Sequence, residues 1–287
     1  MNDVQNKAVS VRHLTLGHSP DSDDAFMFYG LASGRVETHG FEYEHILQDI
    51  QTLNEWAKEG RLDTTAISVH AYAYVADKYA ILNHGASLGG SDYGPMVVAR
   101  KASSLGDLRG ATIAVPGLMT SAYLALRLVV GDFNPQVLPF DTIMEAVAGG
   151  DADFGLLIHE GQLTHHELGL KSVINLGTWW WKETGLPLPL GVNTIRRALP
   201  EDVKRLASRH LRESIEFGLA HRAEALQWAL RYARGMKTTT ADTFVGMYVN
   251  ERTVDLGADG RRSIQLFLKQ AQERRLVPAV AEIDFVM

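Results

Sequence analysis

A mixed α/β fold of two lobes, with a ligand cleft between them, is predicted by three observations on the sequence. A chain of 287 residues with 46% apolar content holds enough core for two lobes. Short apolar runs of strand length alternate with amphipathic helical stretches, the grammar of α/β proteins. One order of signals also occurs twice: cap, short helix, glycine, aspartate, buried strand, polar residue. In the first instance Asp49 caps a helix bearing Ile50, Leu53, Trp56 and Ala57, Gly60 closes it, and Asp63 precedes the strand from Thr64 to Ser68. In the second, Asp141 caps a helix bearing Ile143, Met144 and Val147, Gly149-Gly150 closes it, and Asp153 precedes the run from Phe154 to His159. The echo implies lobes of similar build whose strand ends face each other.

The remaining elements follow in order. Leu14-Thr15-Leu16-Gly17 reads as a strand, and Ser19-Pro20-Asp21-Ser22-Asp23-Asp24 as a loop that caps a helix starting near Ala25. Phe26, Tyr29 and Leu31 form its buried side, with Gly34 as a C-cap glycine. Met96-Val97-Val98-Ala99 is a strand leading into a polar crossing from Arg100 to Gly106. Ala111 to Val115 opens the second lobe, and Thr120-Ser121 starts a helix after a turn at Pro116-Gly117. Trp179-Trp180-Trp181 follows a strand from Ser172 to Leu176. Two prolines, Pro187 and Pro189, then argue for an extended crossing rather than a central ladder. Apolar residues at helical spacing from Val203 to Leu219, a short helix capped by Thr240, and a last helix from Ser263 to Arg274 read as scaffold. Residues 1–99 with 191–287 are thus expected to form a discontinuous first lobe and residues 100–190 the second. The crossings near Ala99-Lys101 and Leu188-Gly191 are the expected hinges.

Composition narrows the partners. A net charge of −6 disfavours nucleic acid and anionic membranes, leaving a small molecule as the expected ligand. The absence of cysteine rules out disulfides, thiolate nucleophiles and thiolate metal sites. No apolar run reaches membrane-spanning length, and the polar segment from Met1 to Arg12 lacks the apolar core of an export signal, so a cytoplasmic location is expected.

His159 is the candidate for chemistry. It follows the buried run Leu156-Leu157-Ile158 at the end where a parallel strand opens toward a ligand crevice, and Glu160 adjoins it. A histidine there either moves a proton or satisfies a backbone group. Ser68 ends the corresponding strand of the first lobe. Thr120 and Ser121 start a helix after a glycine-containing turn with no acid nearby, which suits an anion such as a carboxylate. The aspartates of the first loop would repel one. A tryptophan of the 179–181 run serves either as core or as a stacking surface. His165-His166-Glu167 lacks the spacing of a known metal motif, and no metal or cofactor is expected.

Several stretches resemble the 1,4-dihydroxy-6-naphthoate synthases, lyases of the futalosine route to menaquinone. They are Ser19-Pro20 with Asp24 and Phe26, Thr52-Leu53-Asn54 with Trp56, Gly60-Arg61-Leu62, Ala114-Val115-Pro116-Gly117 with Thr120 and Ala122-Tyr123, Ile158-His159-Glu160, and Thr184 to Gly191. The resemblance implies the type II two-lobed fold of periplasmic solute-binding proteins. It also implies a cofactor-free lyase acting on cyclic dehypoxanthinyl futalosine, with His159 as proton acceptor, Ala66, Ile67 and Ser68 on one wall of the cleft and Ser121-Ala122 on the other. The chain departs from the family's Ser-Pro-Cys-Pro-Asn-Asp at Asp21-Ser22-Asp23, and His70 is a further departure. Two alternatives are a solute-binding protein for a small carboxylate and chorismate dehydratase, which shares the fold.

Overall fold

Strand-forming runs gather into two sheets in a computed structural model that describes residues 12–233 and 235–287. The polar segment 1–11, on which the export-signal reading rests, lies outside the described residues. The first sheet holds β1 (Arg12–His18), β2 (Phe41–Leu47), β3 (Thr64–Ser68), β4 (Tyr79–Leu82), β5 (Ser87–Gly89), β11 (Leu188–Arg196) and β12 (Phe285–Val286). Its order is β12-β4-β11-β3-β1-β2, with β5 on β11. The second holds β6 (Met96–Ala99), β7 (Thr112–Val115), β8 (Asn134–Val137), β9 (Phe154–Leu157) and β10 (Lys171–Asn175), in the order β10-β6-β9-β7-β8.

The sequence echo has a topological counterpart. β1 lies parallel between β2 and β3, as β7 lies parallel between β8 and β9. Beside β3 runs antiparallel β11, and beside β9 runs antiparallel β6. Each lobe therefore takes one antiparallel strand from the segment that joins it to the other. This pairing corrects the expected boundaries: Met96–Ala99 belongs to the second sheet, Leu188–Leu190 to the first, and the crossing into the second sheet is Gly90–Pro95. Pro189 stands inside β11, where it faces Leu88 of short β5, and the register shifts before Gly191 joins the ladder with β3.

Local chemistry sets most helix ends. Asp49 accepts the N–H groups of Gln51 and Thr52 at the start of the Ile50–Glu59 helix, and Gly60 closes it at φ +68°. Leu53 and Ala57 on its inner face are almost fully buried, the leucine worth about 1.5–3 kcal/mol. Other expectations shift. The helix expected near Ala25 begins at Ser22, with Asp21 as its N-cap. Asp141 caps nothing: Phe140–Thr142 forms a 3-10 turn, and the helix Ile143–Gly149 follows without a side-chain cap. Thr240 lies inside the Thr238–Tyr248 helix, and the last helix starts earlier, at Gly257. The tryptophan run is part of the Leu176–Thr184 helix, where Trp180 is fully buried, donates its indole N–H to Ser263 at 3.0 Å and meets Phe267 edge-on. Among the described residues no helix is long and apolar enough to cross a membrane.

Candidate active site

A cavity of about 720 Å³, its opening to solvent included, lies where the strand ends of the two sheets meet. Ala66 and Ser68 line it from β3, and Thr120, Ser121 and Ala122 from the start of the Ser121–Val130 helix. His159 lines it just past β9. Ile67 does not: alternation along β3 turns its side chain into the apolar core, where it is fully buried. Five of the six expected wall positions and the expected histidine therefore converge, and Ile67 is a packing residue.

His159 adopts φ +52°, a left-handed conformation that costs a β-carbon-bearing residue about 1–2 kcal/mol. Its Nδ1 lies 3.3 Å from Asp21 Oδ2, and the edge of Phe140 approaches the ring at 4.8 Å between centroids. A carboxylate beside Nδ1 favours the proton there and leaves Nε2 as the ring nitrogen with a lone pair. Asp21, Asp23 and Asp24 all line the cavity and are all buried. Burial, and then the charge of Asp21, hold the Asp23 and Asp24 carboxyls well above the usual carboxylate range. Asp24 is also tied to the loop, accepting the Ser19 N–H at 2.7 Å.

The opposite wall is built on contacts between the lobes. The Ser121 hydroxyl donates to the Leu190 carbonyl at 2.6 Å and accepts the His70 N–H at 3.2 Å, so its side chain is committed to structure. The Thr120 hydroxyl accepts the Tyr123 N–H as the N-cap. An anion at this helix start would therefore meet the Ser121 and Ala122 N–H groups, which have no partner within the helix. Asn54 joins the walls: its amide donates to Ser68 Oγ at 3.1 Å and to the Met119 carbonyl at 3.4 Å, while its oxygen accepts the Ser68 N–H. His70 Nδ1 stands 3.2 Å from the Thr120 carbonyl, and burial lowers the ring's pKa to about 4. It is an interlobe strut, outside the cavity lining.

Other wall residues had no sequence signal. Tyr248 and Phe244 come from a helix read as scaffold, and the buried Tyr248 hydroxyl donates to Gln162 Oε1 at 2.7 Å. Asn193 of β11 donates to the Gly85 carbonyl, leaving its own buried oxygen without a donor. Their spacing of four residues could have marked Phe244 and Tyr248 as one helix face, though not what that face covers. Among the described residues no tryptophan lines the cavity. His165 turns Nδ1 toward the Gln162 carbonyl at 3.1 Å.

A family described as "Menaquinone biosynthesis" matches residues 14–273. A 1,4-dihydroxy-6-naphtoate synthase of Thermus thermophilus is 41% identical over 263 residues, covering 92% of this chain and 95% of that protein. One of Streptomyces coelicolor is 36% identical over 278 residues, covering 95% and 97%. A solved structure of an Archaeoglobus fulgidus protein superposes with a TM-score of 0.89 at 44% identity, covering 92% of this chain and 98% of that one. The fold is shared more widely: a Candida albicans protein described as having the generic periplasmic binding protein fold gives a TM-score of 0.61 at 12% identity, covering 95% and 99%. With that two-lobed fold, a matching family model over most of its length and relatives this similar, the chain is an enzyme of the menaquinone biosynthesis family.

Proposed function

We propose that the enzyme is a carbon–carbon lyase converting cyclic dehypoxanthinyl futalosine into 1,4-dihydroxy-6-naphthoate and dihydroxyacetone. The observation that carries the reading is the His159 imidazole in the cavity wall with Asp21 at its Nδ1. That pairing leaves Nε2 to take the proton next to the substrate carbonyl. The adjacent carbon–carbon bond then breaks, dihydroxyacetone leaves, and aromatisation of the remaining ring drives the step. Placement and a base are what the protein supplies, the base being worth about 10²- to 10⁴-fold.

Charge orients the substrate. Its carboxylate goes to the Ser121 and Ala122 N–H groups, since the opposite end presents the charge of Asp21 beside two further buried aspartates. Ala66 and Ser68 complete the pocket around the ring. The lobes divide as the sheets do, with the cleft between them as the reaction chamber, and no resident cofactor enters the scheme. A cytoplasmic location goes with this biosynthetic role.

Product analysis tests the proposal. Purified protein is incubated with the cyclic futalosine derivative and, separately, with chorismate, and products are identified by mass. Dihydroxynaphthoate with dihydroxyacetone is the expected result. Dehydration of chorismate would assign the sister activity, and binding of a carboxylate without turnover would make the chain a solute-binding protein.

A further inference from the structure

Three carboxyl groups on one turn, each less than one-tenth exposed, face a cavity whose lining, among the described residues, contains no lysine or arginine. Part of their capacity is used within the turn: Asp24 Oδ2 accepts the Ser19 N–H, and Asp21 Oδ1 accepts the Asp24 N–H at 3.2 Å. What is left over is specific. Asp21 Oδ2 lies opposite the His159 ring, and Asp23 Oδ1 is buried with no hydrogen-bond partner. A buried carboxyl oxygen without a partner is costly, and a cation or an incoming donor removes that cost. One ligand atom from each of Asp21, Asp23 and His159 lies within 4.8 Å of the other two, so small side-chain movements bring all three onto one ion.

We propose that Asp21, Asp23 and His159 form a binding site for a divalent transition-metal ion of the Zn²⁺ or Mn²⁺ type. The donor set decides the class: two carboxylate oxygens with one imidazole nitrogen suit these ions, whereas Mg²⁺ and Ca²⁺ favour oxygen ligands alone. Three protein ligands leave coordination positions open toward the cavity, within reach of a bound molecule's oxygens. The site goes beyond the lyase reading and has a consequence for it. An ion seated on the imidazole competes with proton abstraction, so occupancy lowers turnover.

The test is a calorimetric titration of chelator-treated, dialysed protein with ZnCl₂ and MnCl₂, with MgCl₂ for contrast. The parent is expected to take up one equivalent of Zn²⁺ or Mn²⁺ and to bind Mg²⁺ at least tenfold more weakly. Asp23→Asn, which keeps the side chain's shape, should weaken Zn²⁺ binding at least tenfold, as should His159→Ala if the first variant fails to fold. His165→Ala should leave it unchanged. No uptake by the parent, equal affinity in Asp23→Asn and His159→Ala, or loss only in His165→Ala overturns the site. None of these outcomes bears on the lyase reading, which product formation by the metal-free protein decides.

Discussion

His70 illustrates how burial fixes the state of a titratable side chain. Its ring is 4% exposed, touches the Thr120 carbonyl, and has a pKa lowered by burial to about 4, against an ordinary value of 6.5. Above pH 6.5 the ring is neutral folded or unfolded and contributes no pH dependence. As pH falls from 6.5 toward 4 the unfolded chain takes up a proton that the folded one refuses, so stability declines by up to about 1.4 kcal/mol per pH unit. The raised Asp23 and Asp24 carboxyls act in the opposite sense, since the folded chain retains protons there and loses that stability as pH rises. Comparing His70→Asn with the parent by urea denaturation at pH 7 and pH 5 isolates the histidine: the parent should lose more stability than the variant on acidification. Equal losses would show that the ring titrates freely. At this scale the sequence was informative where a residue's place follows from its neighbours, as for His159 beyond a buried strand and Thr120 at a helix start. It was silent on Gln162, Asn193 and Tyr248, whose partners lie far along the chain, at Tyr248, Gly85 and Gln162. Ile67 was misplaced because a resemblance to a wall does not say which side of a strand each residue faces.

Element boundaries were legible where a cap or a left-handed glycine decides them. Asp49 and Gly60 bracket their helix as expected, and Thr120 starts the helix at the cleft. Asp141 failed as a cap because Pro139 and Phe140 lead into a 3-10 turn that takes the cap's place. The crossings between lobes were the least legible elements, since their course depends on backbone contacts rather than on side-chain pattern. Gly177, at the start of the Leu176–Thr184 helix, packs directly on the Gly90–Pro95 crossing: a β-carbon there would collide with the Tyr93 carbonyl, a backbone atom that cannot swing away. A β-carbon on Gly94 would likewise meet the Gly177 backbone at 2.8 Å. Gly177→Ala should therefore destabilise the protein by about 1–3 kcal/mol, read as a lower urea midpoint. An unchanged midpoint would mean that the start of this helix and the Gly90–Pro95 crossing are not in contact in solution.

Across the whole molecule, the division into two lobes was readable because the same order of helix, left-handed glycine and strand precedes both β3 and β9, although only the first helix has its aspartate cap. How the lobes meet was not. One apolar core runs across the boundary, joining Leu124, Ala125 and Leu128 of the second lobe to Val69, Phe267 and Leu268 of the first. Hydrogen bonds from Asn54 to the Met119 carbonyl, from the Met119 N–H to Gln51 Oε1 and from Ser121 to the Leu190 carbonyl add to that core at the cleft. These contacts hold the wall that carries His159 against the start of the Ser121–Val130 helix. The central claim is that His159 removes the substrate proton inside this chamber, and steady-state kinetics of His159→Ala with the cyclic futalosine derivative test it most directly. The account predicts a kcat lower by about 10²- to 10⁴-fold with KM within a few-fold of the parent's. A kcat within a few-fold of the parent's would contradict it.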